Sequence, residues 1–274
     1  MASRGGLSLP YRRSKVLAPP APRKGDPDAP SAGATLADGA RGSLDVATGG
    51  LAEGMLYDAR RCCFYGKPLL RGWLHLALFH ASLVTGTLVP IAARGSMRTA
   101  AVAIYVATVS ALFGTSALHH RGRWTARQAG LLQRLDHSMI FLLIAGTATP
   151  AFLIDLPGRP GVIGVFVLWT LTLGAAVTHL LWMEAPELLV GAIFVALGCA
   201  AGAALRAVWM HSGPAAGLLM LTGGVLYLLG ALAYHRRWPD PAPSVFGFHE
   251  VFHAFVGAAV ACQYIAIALF VVRH

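Results

Sequence analysis

The chain has 274 residues, of which 56% are hydrophobic and 12% charged, with a mean hydropathy of +0.60; a soluble domain carries about a quarter charged residues, so an ordinary globular protein is excluded. The formal net charge of +10 comes from 22 Lys+Arg against 12 Asp+Glu. Because those basic residues lie in a tail and between apolar runs, the charge reports topology, and no nucleic-acid partner is expected. Cys62, Cys63, Cys199 and Cys262 form no C-x-x-C pair, which excludes a thiolate metal ribbon, and they are too scattered for a disulfide framework.

Residues 1–66 read as a disordered tail rich in Pro, Gly, Ala and Arg, with clusters such as Pro19-Pro20-Ala21-Pro22 and Gly49-Gly50 and almost no aromatics. Arg12-Arg13 resembles part of a twin-arginine signal. No apolar stretch of about 7 to 15 residues follows it, so no removable targeting peptide is expected. A start at Met55 would remove most of the tail and leave the membrane domain, residues 67–274, intact.

From Leu69 onward, apolar runs of about 20 residues recur, each long enough to cross a hydrocarbon core of roughly 30 Å as a helix. Seven are predicted, near 69–91, 98–120, 133–153, 161–182, 187–209, 214–234 and 248–271. Helices rather than strands are expected because backbone groups must be satisfied within each segment in lipid. The fold class is therefore all-α, a seven-helix bundle in the inner (cell) membrane. Lys and Arg set its orientation. Arg60, Arg61, Lys67, Arg71, Arg121, Arg123, Arg127, Arg134, Arg236 and Arg237 fall on one side, against Arg94, Arg98, Arg159, Arg206 and Arg273 on the other. This puts the N-terminus in the cytoplasm and the C-terminus outside.

Ionisable groups in membrane helices are costly, so each is a functional candidate. The second span ends Ser116-Ala117-Leu118-His119-His120, with Ser116 and His120 on one face. The third begins Leu135-Asp136-His137-Ser138 and carries Thr147 nearly on the stripe of Asp136; the seventh begins His249-Glu250-Val251-Phe252-His253, two histidines at i, i+4. The topology brings all three sets to the cytoplasmic end. His119 and His120 point about 100° apart, so one of them at most faces the site. Three imidazoles there, with water in an open fourth position, match a catalytic zinc site; ligands without thiolate favour zinc over iron or manganese. Asp136 could hold the water or take its proton, and Ser116 could donate to a developing oxyanion. His75, His80, His179, His211 and His235 read as snorkelling or hydrogen-bonded structural residues. The run Gly198 to Ala204 and Gly223-Gly224 read as close helix contacts.

Taken together, Lys67 to His75, Ser116 to His120, Leu135 to Ser138, Ile144 to Thr147 with Pro150, and Phe246 to His253 resemble the hemolysin III family, the bacterial branch of the progestin and adipoQ receptors, over about residues 67–271. The resemblance implies a zinc ion held by His120, His249 and His253, with Asp136 and Ser116 near the water. Because the adiponectin-receptor branch is linked to ceramide hydrolysis, it also implies membrane lipids as partners and a sphingolipid or other lipid amide as substrate. The family name adds cytolysis; no charged ring or exposed amphipathic helix of a pore is found.

Two rival readings stand beside the hydrolase. His249-Glu250-Val251-Phe252-His253 matches H-E-x-x-H, whose Glu is the base of a metalloprotease, and a site-2-type intramembrane protease would use it. That class needs a later aspartate ligand, and no Asp follows His253. The other reading is a receptor or lipid-responsive protein in which zinc is structural and there is no turnover.

Overall fold

The computed structural model describes residues 55–58, 63–66, 68–182 and 185–273. The chain divides into two compact units, Met1–Lys67 and Pro68–His274. In the first, strands β1 (Met55–Asp58) and β2 (Cys63–Gly66) pair antiparallel, Met55 opposite Gly66 and Asp58 opposite Cys63. Regular structure therefore enters the segment expected to lack it. The rest of that segment, with Arg60, Arg61 and Lys67, lies outside the described residues.

The second unit is helical: α1 (Trp73–Ala92), α2 (Ser96–Arg121), α3 (Ala126–Pro150), α4 (Arg159–Leu181), α5 (Glu187–Ala201), α6 (Leu205–His211), α7 (Pro214–Arg236) and α8 (Phe248–Leu269). A π-helical turn, Ala151–Asp155, continues α3, and a 3-10 turn, Gly202–Ala204, joins α5 to α6. Among the described residues, seven spans are long and apolar enough to cross a membrane, with α5 and α6 together forming the fifth.

Two span starts differ from the sequence expectation, each for a local reason. The third span begins at Arg127, not near 133, because Thr125 and Gln128 form a reciprocal capping box: Gln128 N–H donates to Thr125 Oγ1 and Thr125 N–H to Gln128 Oε1. Asp136 consequently sits well inside a helix. The first span begins at Trp73, not 69. Leu69 and Leu70 form a turn whose N–H groups donate to Ser244 O and Val245 O, at 3.0 and 3.1 Å, just ahead of α8.

The second, third and seventh spans are 50, 61 and 50% buried, the other four between 11 and 22%. The three spans that carry the candidate residues are therefore the interior of the bundle. One apolar cluster joins them to the first span through Val89, Tyr105, Phe113, Leu143 and Val260; another joins the third to the fourth, fifth and sixth through Phe141, Leu168, Leu197 and Ala216. Gly223 does serve a close helix contact, since a Cβ there would lie 2.7 Å from Gln263 Cγ. The same is untrue of Gly198, Gly202 and Gly224, where a Cβ would meet open space. Small residues in lipid mark a contact only where another backbone faces them.

A candidate metal centre at one end of the bundle

His120 lies in the last turn of α2, which ends at Arg121 and is capped by Gly122. The start of the first span packs directly on it. Gly72 has φ of +78°, and a Cβ there would stand 2.8 Å from His120 Cβ, so both backbone shape and space call for glycine. Ser116, one turn before His120, is buried. Asp136 comes from α3, and His249 and His253 project one turn apart from the start of α8.

These elements bring His120, Asp136, His249 and His253 close to one another. His120 Nε2 and His249 Nε2 are 3.2 Å apart, and one ring nitrogen from each of His120, His249 and His253 lies within 4.8 Å of the others. Asp136 Oδ2 is 3.4 Å from His120 Nε2. His119 forms a set with His120 and Asp136, while it is His120 that groups with the two histidines of α8. Thr147 is buried, but it lies eleven residues beyond Asp136, about 16 Å along the helix axis, and so belongs to a different level of the bundle.

His75 departs from expectation. It does not snorkel: it is 3% exposed, its ring stacks on His253 with centroids 3.8 Å apart and planes 16° apart, and it meets the Phe113 ring edge-on. Neither of its ring nitrogens has a hydrogen-bond partner among the described residues. A sequence signal existed, because Gly72 and His75 are i, i+3 and share the face that meets His120 and His253.

Glu250 is taken up by a cation and a backbone amide. Arg71 Nε donates to its Oε1, the two side chains being buried together, and Gly247 N–H donates to its Oε2 at 2.9 Å. Asp240, read from sequence as a loop residue, accepts Phe248 N–H at Oδ1, also at 2.9 Å. Beside His253 and Glu250 lies a cavity of about 290 Å³ whose other walls are Leu70, Trp73, Leu74 and Phe246.

The donor chemistry fits a metal ion. A neutral imidazole offers one lone pair and one N–H, so nitrogens 3.2 Å apart can share one proton, and a third imidazole at that level adds another lone pair to the same small volume. A cation is the partner that satisfies all three at once. Asp136 lies beside this set through His120.

Comparison with known proteins shows the family. A family profile described as Haemolysin-III related matches residues 65–264. The chain is similar to a hemolysin-3 homolog of Bacillus subtilis (strain 168), 28% identical over 144 residues, which are 52% of this chain and 64% of the relative. It is also similar to a hemolysin-3 of Bacillus cereus, 29% identical over 137 residues, 50% of this chain and 60% of that protein. The matches thus span under two thirds of either relative's length. With seven apolar spans and a family match over most of its length, this chain is a multi-pass membrane protein that belongs to the hemolysin III family.

Proposed function

We propose that His120, His249 and His253 hold a zinc ion at the cytoplasmic end of the bundle in the cell membrane, and that the site hydrolyses an amide bond in a lipid-like molecule. The carrying observation is the convergence of three ring nitrogens from the second and seventh spans within 4.8 Å. The excess of Arg at this end supports its cytoplasmic placement. When bound, zinc supplies Lewis-acid polarisation and water of lowered pKa.

The chain's own groups do the rest. Asp136, beside His120, accepts the proton that water loses as its oxygen bonds to the amide carbon, and returns it to the nitrogen as the C–N bond breaks. Ser116 is the nearby buried hydroxyl available to donate to the developing oxyanion. The apolar walls of the cavity beside His253 suit a hydrocarbon portion of the substrate. Glu250, occupied by Arg71 and Gly247, speaks against the protease reading, in which that carboxylate would face the metal.

Elemental analysis of detergent-purified chain is the direct test. About one zinc per wild-type chain is expected, lost in His120→Ala and in His249→Ala. Metal retained in His120→Ala would overturn the ligand set. With zinc present, ceramides and related lipid amides are screened for turnover, which Asp136→Asn should abolish and Glu250→Gln should not. Zinc without turnover on any of them would leave a structural metal in a receptor-type protein.

A further inference from the structure

We propose that Asp240, Glu250 and Arg71 are positioning residues for His249, holding the first turn of α8 so that its imidazole stays in register with His120 and His253. The inference rests on the metal reading above and assigns groups which that reading leaves without a role. It begins from a weakness in the architecture. The first four N–H groups of a helix have no acceptor within it, and the first turn is where a helix frays. This chain puts a ligand there, His249 being the second residue of α8.

The residue at the cap position, Gly247, has no side chain with which to close the turn. Two carboxylates do it instead, Asp240 from the preceding loop and Glu250 from the turn itself. Asp240 Oδ1 accepts Phe248 N–H and Glu250 Oε2 accepts Gly247 N–H, each at 2.9 Å. Their charge also favours the positive end of the helix dipole. Glu250 cannot swing away, because Arg71 holds its other oxygen. Arg71 is in turn fixed by the preceding turn, through Leu69 N–H to Ser244 O and Leu70 N–H to Val245 O. Space is equally restricted: a Cβ on Gly247 would come within 2.9 Å of Asp240 Oδ1. The turn carrying His249 is therefore clamped on both sides. His253, one turn farther in and stacked on His75, depends less on the clamp. With the His249 and His120 nitrogens at 3.2 Å, fraying of that turn would separate His249 from the set.

The test uses cobalt(II) as the probe on the full chain in detergent, reading the binding constant, the visible d–d spectrum and thermal unfolding. Asp240→Ala and Glu250→Ala should each weaken cobalt binding by about 10- to 100-fold, the range for residues that orient metal ligands, with the spectrum moving toward that of His249→Ala. Asp240→Asn retains an oxygen for Phe248 N–H and should restore both affinity and spectrum. Variants that melt earlier yet keep wild-type affinity and spectrum would overturn the proposal, as would Asp240→Asn behaving like Asp240→Ala. Should Glu250→Ala fail to fold, the two Asp240 variants decide. Wild-type protein that binds no cobalt would remove the metal reading and this inference with it, whereas wild-type binding with indifferent variants would remove this inference alone.

Discussion

Asp136 and Asp155 stand about 28 Å apart along the same third span, one at each end of the bundle. Their surroundings differ in kind. Asp155 closes the π-helical turn, is 1% exposed, and accepts a hydrogen bond from Ser212 Oγ at 2.6 Å; nearby in sequence, Trp169 Nε1 donates to Thr149 Oγ1 at 3.0 Å. Each of these contacts joins one donor's proton to one oxygen lone pair. At the histidine end, ring nitrogens from two spans lie within 4.8 Å of one another, with a carboxylate beside one of them. An ionisable group inside a membrane is thus no site by itself. What sets the histidine end apart is that several groups able to ligate a cation converge there from different spans.

Three substitutions sharpen this contrast. The largest effect is expected from Arg71→Ala, which leaves Glu250 buried without its partner at the histidine end. A loss of about 3–5 kcal/mol in unfolding free energy should follow, measured by thermal or denaturant unfolding in detergent. The far end should respond more mildly. Ser212→Ala removes the hydroxyl donor to Asp155 and should cost about 1–3 kcal/mol, with the metal content of the purified protein unchanged. Loss of metal in that variant would show that the two ends are coupled through the third span and would break the contrast. Smallest is Thr125→Ala, which removes a cap at the histidine end without touching the histidines. It should lower stability by about 1 kcal/mol and leave metal stoichiometry as it was.

Much of this molecule was legible because the relevant signals are local. Runs of apolar residues long enough for the bilayer located seven spans, and the i, i+4 spacing of His249 and His253 put both on one face of the last helix. Alternation of the spans then brought that face to the same end as His120 and Asp136. The Thr125 to Gln128 capping box was equally present in the residues and explains why the third span starts earlier than its apolar run. Asp155 was passed over for the opposite reason, since it lies just past an apolar run and looks like the start of a loop. Other features had no local signature. Arg71 and Glu250 are 179 positions apart, Asp240 sits in a Pro-rich turn, and His75 looks like any histidine near a helix start.

By itself the amino-acid sequence determined the number of spans, their alternation, the faces on which the histidines lie and the family to which the chain is similar, because hydropathy and helical period act over a few turns. The tertiary structure decided which spans form the interior, that His120 rather than His119 groups with His249 and His253, that Glu250 is committed to Arg71, and that His75 backs His253. Those outcomes depend on how helices rotate and approach one another. Close packing at Gly72 and Gly223 sets that approach, and it is a property of pairs of surfaces rather than of any one segment.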